Sequence, residues 1–401
     1  MIADIGKRFR KLGEKLQKRA ALGLSLIGSL RFLAGRGGRG RKTVLVMVHA
    51  VSGGGAERVA SILASELTAR YHVLLLYFFP RENEYPVSTE VERICIPWGR
   101  MYLDDRFGRW IARYVRLLKK RRRVDLSISF LFAMNALNEE SRAADRVILC
   151  ERNNPVKSRD AVRFDRITEL YRRADHVVFQ SAAVRGLFPE EVKAHSTILP
   201  NPVSVSCLRS GTHPCRIVTA GRLHPQKDHA MLITAFGRFY KDHPAYRLSI
   251  YGEGEMRDEL EARIAALGLS ECVRLEGRSE TVQADMADAG IFVLSSAYEG
   301  LSNALLEAMM MGFPCISTDC EGSVDVIEDG VNGLLVPRGD AEAMADALRK
   351  LAEDPVYREQ LGKKAKETGE RFRRDRVVRE WEQLIEQVCA DGLGSRRGGG
   401  A

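Results

Sequence analysis

Two acidic residues eight positions apart, Glu299 and Glu307, bracket Gly300-Leu301-Ser302-Asn303 at the head of an apolar run. Ser302 or Asn303 is placed to cap a helix there, and the free amides and dipole at its start favour a phosphate. Two carboxylates beside an anion repel it unless they accept hydrogen bonds from neutral donors. Sugar hydroxyls are such donors, so a nucleotide ribose and a hexose are natural partners. Taken alone, the pattern is also that of acidic residues favoured by a helix N-terminus. Upstream, Gly221-Arg222-Leu223-His224-Pro225-Gln226-Lys227-Asp228 follows an apolar run and brings Arg222 and Lys227 onto one loop. Two cations suit a diphosphate whose negative charge grows as it leaves. The loop alone would pass for a surface turn, but the paired glutamates favour convergence. Three weaker signals agree. Gly252 and Gly254 in Tyr251-Gly-Glu-Gly allow close backbone approach, Arg278 after Gly277 could cover a nucleobase, and Asp329-Gly-x-Asn-Gly-Leu is a tight turn.

Distant residues of this kind need a frame of strands and turns. Thr43 to Val48 is a short β-branched run of the sort buried in parallel sheets, and it leads into Ser52-Gly53-Gly54-Gly55 and a helical pattern. Strand, glycine loop and helix open a doubly wound α/β domain. Further strands are expected at 72–78, 126–130, 146–150 and 176–179, then at 216–220, 247–251, 273–276, 291–295 and 314–317. The pattern pauses at Leu199-Pro200-Asn201-Pro202. We therefore expect an α/β fold of two facing Rossmann-like, doubly wound halves: an N-terminal domain over 41–200, a hinge over 201–214 and a C-terminal domain over 215–370. A terminal helix over 371–390 returns toward the region between them, and 391–401 is a loose glycine-rich tail. Ligands of such sheets bind beyond the carboxyl ends of the strands, so facing halves make one cleft.

Composition narrows the class. Hydrophobic residues at 45% and charged residues at 29% are ordinary soluble usage, which excludes disordered, collagen-like and membrane-bundle chains. The eight cysteines form no C-x-x-C pair, which argues against a zinc site or a disulfide framework. The net charge of +9 is uneven: +10 over residues 1–42, +6 over 43–200 and −7 over 201–401. Within residues 1–40, Ile5, Phe9, Leu12 and Leu16 mark one helical face among lysines and arginines. This reads as an amphipathic helix lying on an anionic membrane surface. The less charged run Ala20 to Leu30 is too short to span a bilayer.

The second half resembles the family-four retaining glycosyltransferases, through Gly221 to Lys227, Gly252 to Gly254, the Glu299-x7-Glu307 signature and Asp329-Gly-x-Asn-Gly-Leu. The opening glycines and Asn201-Pro202 resemble the family's first-half loop and hinge. The resemblance implies a GT-B fold and a nucleotide-sugar donor. Arg222 and Lys227 would hold its diphosphate, Glu307 its ribose and Glu299 the transferred sugar. Backbone amides at Leu301, Ser302 and Asn303, with Gly54, Gly55, Gly221, Gly252, Gly254 and Arg278, would complete the donor site. Many members carry a His beside the donor sugar. This chain has Glu151-Arg152-Asn153 instead, which makes Arg152 and Asn153 candidates for contact with acceptor or donor sugar.

No D-x-D triplet is present, so no metal and no resident cofactor is expected. Arg106, Arg109, Arg113 and Arg116 recur at helical spacing opposite Phe107, Ile111, Tyr114 and Leu118, a basic face suited to a lipid headgroup or anionic surface. The expected activity is retaining transfer from a UDP-hexose or UDP-N-acetylhexosamine to a lipid-linked or membrane-associated saccharide in bacterial surface-glycan synthesis. The expected place is the inner face of the cell membrane. An epimerase or phosphorylase on the same scaffold and a non-enzymatic basic adaptor are alternatives. No nucleic acid is expected as a partner, because residues 1–42 interleave only Phe9 and Phe32 with their basic runs.

Overall fold

The computed structural model describes residues 40–81, 83–96, 105–152 and 161–395. The expected amphipathic segment, Asn153 and the end of the glycine-rich tail lie outside the described residues.

Two parallel sheets organise the chain. The first holds β1 (Thr43–Met47), β2 (His72–Tyr77), β3 (Glu92–Cys95), β4 (Leu126–Phe130), β5 (Arg146–Glu151), β6 (His176–Phe179) and β7 (Ser196–Ile198). Their spatial order is β3-β2-β1-β4-β5-β6-β7. The second holds β8 (His213–Ala220), β9 (Arg247–Tyr251), β10 (Val273–Gly277), β11 (Ala289–Leu294), β12 (Cys315–Thr318) and β13 (Leu334–Val336), in the order β10-β9-β8-β11-β12-β13. Central strands are apolar from end to end because helices cover both faces. All five residues of β1 are buried, and so are all six of β11.

Each sheet reverses its winding once, between β1 and β4 and between β8 and β11. Loops leaving neighbouring strands at such a point diverge and open a crevice. Ile217 and Val218 of β8 pair with Ile291 and Phe292 of β11. The loops after these two strands therefore start side by side, and they carry Arg222, Lys227 and Glu299.

Three short strands lie outside those expected from the sequence: β3, β7 and β13. All lie at sheet edges, where three or four residues with one partner suffice and continuous burial is not required.

The chain passes between the halves twice at one place. Val203 N–H donates to Phe372 O at 3.0 Å, and Arg374 N–H donates to Val203 O at 2.8 Å. The helix Arg374–Ser395 then lies on the first sheet rather than between the halves. Val377, Trp381, Leu384, Ile385 and Val388 share a core with Val44, Val46, Leu126 and Ile128. Glu386 of this helix takes Lys42 and the Tyr71 hydroxyl, each at 2.8 Å. The apolar stripe finds its cover in the N-terminal half.

The basic helix Asp105–Arg122 is also half absorbed by the fold. Ile111, Tyr114 and Leu118 bury into the first core, while Arg109, Arg113 and Arg116 are exposed. The side chains of Arg106 and Phe107 lie outside the described residues. Lys119 is not surface charge at all. It is fully buried, paired with Asp145 at 2.8 Å and bonded to Asn138 Oδ1 at 2.7 Å. Among the described residues no helix is long and apolar enough to cross a membrane.

Candidate active site

The helix Asn303–Met311 begins beyond β11, and Ser302 is its cap, its hydroxyl accepting from Leu305 N–H at 3.4 Å. A capped N-terminus still leaves first-turn amides available to an anion. Glu299 lies just ahead of it, 9% exposed, and Glu307 one turn inside, 6% exposed. Lys227 reaches Glu299 as an ion pair, and Gln226 Nε2 donates to the other Glu299 oxygen at 3.3 Å. The two loops are tied further by Ser295 Oγ–H to Lys227 O at 2.8 Å and Ala297 N–H to Gln226 O at 2.8 Å. The strand register thus delivers the convergence the spacing implied.

Arg222 and Arg278 are both exposed, at the ends of β8 and β10. They approach the first half: both act electrostatically on Tyr85, and Arg222 also on Glu57. Burial holds the Glu57 carboxyl above the usual carboxylate range, with Arg222 and Arg81 opposing. Burial likewise raises the Tyr85 hydroxyl, against the nearby arginines.

The glycines act in ways the sequence did not specify. Gly252, at φ +145°, leaves no space for a side chain because Gly221 O presses on it. Gly254 is packed the same way on Leu223 O. Their smallness lets the loop after β9 support the Arg222–Lys227 loop from beneath, rather than opening backbone to a ligand. Gly54 precedes the helix Gly55–Glu66, and the space beside its Cα is taken by the Glu57 carboxylate. Gly55 instead faces Asn303 Nδ2 of the second half, 3.4 Å from where a Cβ would stand.

Arg152 corrects an expectation. Its guanidinium is buried, 6% exposed, between the rings of Phe130 and Trp381 at 5.7 and 5.8 Å. It donates to Leu199 O at 3.0 Å, just ahead of the hinge, and to Asn201 Oδ1 at 3.1 Å, at its start. Burial in an apolar sandwich lowers its pKa from the ordinary arginine value. Arg152 is thus directed at the chain crossing and not at a sugar. Asn201 passes the link on, donating to Leu301 O at 3.1 Å and Asn303 Oδ1 at 2.8 Å. The N-terminal end of the Asn303 helix is therefore pinned from the hinge.

Three participants carry no periodic or motif signal of their own: Arg58, Tyr85 and His229. His229 is buried under the Arg222–Lys227 loop, beside the backbone of Gly221 and Arg222, and burial with the Lys227 charge lowers its pKa to about 4. Arg58 Nη1 lies 2.6 Å from Glu307 Oε1, an ion pair that crosses the cleft. Burial holds the Glu307 carboxyl above the usual range even with Arg58 opposing.

Comparison with known proteins points to a family. Residues 209–368 match the family model described as glycosyl transferases group 1. The chain is 38% identical over 178 residues to the exopolysaccharide phosphotransferase SCO2592 of Streptomyces coelicolor, an alignment covering 43% of this chain and 19% of that protein. It is 27% identical to the GalNAc-alpha-(1->4)-GalNAc-alpha-(1->3)-diNAcBac-PP-undecaprenol alpha-1,4-N-acetyl-D-galactosaminyltransferase of Campylobacter jejuni, over 85% of this chain and 98% of that one. Among solved structures, Anabaena Alr3699/HepE in complex with UDP and glucose superposes with a TM-score of 0.71 and 17% identity, covering 86% of this chain and 99% of that chain. At that identity the likeness speaks for the fold. Residues 209–368 thus resemble the glycosyl transferases group 1, and the two parallel-sheet halves have a GT-B fold.

Proposed function

We propose that this protein is a retaining glycosyltransferase of bacterial surface-polysaccharide assembly. Its donor is a UDP-hexose or UDP-N-acetylhexosamine, and its acceptor a lipid-linked or membrane-associated saccharide. One observation supports the reading: Lys227 pairs with Glu299 where β8 and β11 diverge, with Arg222 on the same loop, while Glu307 in the helix that follows pairs with Arg58 of the other half. The UDP held by the Anabaena structural neighbour and the undecaprenol-linked acceptor in the Campylobacter relative's name agree with it.

In this reading the donor replaces the contact between Lys227 and Glu299. The diphosphate takes Lys227 from Glu299 and draws in Arg222, and the freed Glu299 accepts hydroxyls of the transferred sugar. The acceptor oxygen bonds to the anomeric carbon on the face from which the diphosphate leaves. The bond from that carbon to the β-phosphate oxygen breaks, and the acceptor's proton passes to the departing phosphate. No protein nucleophile is needed, and Arg222 and Lys227 stabilise the developing charge without a metal. The exposed arginines of the 105–122 helix, with Trp110 and Leu117 each 42% exposed among them, give the first half a face for an anionic bilayer.

The test is a panel of nucleotide sugars incubated with membrane-extracted acceptor lipid and read by mass shift. A lengthened acceptor and free nucleoside diphosphate are expected, and Glu307→Ala should abolish transfer. Wild-type transfer by that variant, or an epimerised donor with no acceptor product, would overturn the assignment.

A further inference from the structure

Residues 57 and 58, consecutive on the first turn of the helix Gly55–Glu66, send opposite charges across the cleft. Glu57 acts on Arg222, and Arg58 pairs with Glu307. The second half answers with its own charges reversed. Arg58 sits on the half that a family reading assigns to the acceptor, yet its partner is the carboxylate assigned to the nucleotide.

The state of Glu307 makes this informative. Its side chain is 8% exposed and Arg58's is 33% exposed, so the carboxylate is the deeper partner. Oε1 is paired in charge with Arg58 but accepts no directed hydrogen bond. Gln283 also acts on this carboxyl by hydrogen bonding, and Arg58 is the charge that faces it. A buried carboxylate without a counter-charge is strongly driven toward its neutral form. As an acid it loses acceptor capacity for a diol; as an anion it can take two hydroxyls.

We propose that Arg58 is a positioning residue for nucleotide recognition: from the first half it keeps the Glu307 carboxylate ionised and oriented to accept the ribose hydroxyls. This rests on the reading of Glu307 as the ribose acceptor. The nucleotide then binds well only when the halves are together, because the group that tunes its ribose contact arrives from the opposite half. Donor binding and closure become one event.

Calorimetric titration with UDP or GDP, whichever binds tighter, against its 2′-deoxy analogue tests this. The affinity ratio of the pair cancels the titration of the phosphates. Wild-type protein is expected to prefer the ribonucleotide by roughly ten- to a hundredfold, with little change from about pH 6 to 8.5. In Arg58→Ala, Glu307 loses the charge that opposes its raised pKa, so it is more protonated at low pH. The preference should fall to within about threefold near pH 6 and recover as the pH rises and the carboxyl ionises. Arg58→Lys, which keeps the charge, should restore most of it. An Arg58→Ala protein that keeps the wild-type ratio at every pH overturns the proposal. So does one that loses affinity for both nucleotides equally, since that marks a purely structural tie. Loss of discrimination in Glu307→Gln upholds the ribose reading whatever Arg58 does. If wild type does not discriminate, or Glu307→Gln still does, the ribose reading fails and takes the proposal with it.

Discussion

Gly300, between Glu299 and Leu301, packs directly against the first half. A Cβ there would overlap Gln180 Nε2 and meet Arg152 O at 3.1 Å. Gln180 uses that same nitrogen to donate to Arg152 O at 2.9 Å, so it cannot step aside without leaving a buried group unpaired. Gly300→Ala is therefore expected to lose about 1–3 kcal/mol of stability in urea denaturation, the range for forcing an extra carbon into a packed site. Transfer should fall as well, since Glu299 and Leu301 flank the strain. Gly186→Ala is the control, because nothing lies within 4 Å of its Cβ position. Equal stability of the two variants would show that Gln180 yields freely. At this scale Glu299, Glu307, Arg222 and Lys227 were readable, because carboxylate and cation spacing around a helix start is a local pattern. The partners of Arg58 and Asn201 were not, since they lie far along the chain. Arg152 was misread for the same reason: its neighbours Phe130 and Trp381 belong to distant elements.

Among the elements, buried parallel strands were legible as continuous apolar runs, while β3, β7 and β13 were hidden by their place at the edges. Amphipathic helices announced a stripe but not the surface that covers it. The terminal helix spends its stripe on the first sheet, and the helix Asp105–Arg122 spends Ile111, Tyr114 and Leu118 there too. What that second helix leaves outside is a different set: Trp110, Arg113 and Leu117, spaced for one face, with Arg109 and Arg116 on either side. An aromatic among arginines is suited to an interface with anionic lipid, each basic residue adding about 1 kcal/mol near the surface. Sedimentation with vesicles containing phosphatidylglycerol should therefore show weaker binding by Arg113→Glu, through its charge reversal, and by Trp110→Ala. Neither should lose transfer to a soluble acceptor. Unchanged vesicle binding by both variants would remove this face from the membrane reading.

For the molecule as a whole, the decisive feature is how little joins the halves. Among the described residues, the bonds that join them include the paired crossing at Val203, the Arg58–Glu307 ion pair, the bonds of Asn201 to the Asn303 helix, and Ala183 N–H donating to Asp325 at 3.0 Å. Each half has its own buried clusters. A nucleoside diphosphate seated on Lys227 and Glu307 should then stabilise the folded chain by mass action, by about 2.7 kcal/mol at a hundred times its Kd. The wild-type Tm should rise accordingly with added UDP. Lys227→Ala should lower the unliganded Tm modestly, because it leaves the Glu299 carboxylate, at 11% side-chain exposure, without its cation. The same variant should lose most of the UDP-induced rise, since the diphosphate has lost a cation. A rise that survives intact in Lys227→Ala would place the nucleotide elsewhere and break the link between the strand switch point and the chemistry.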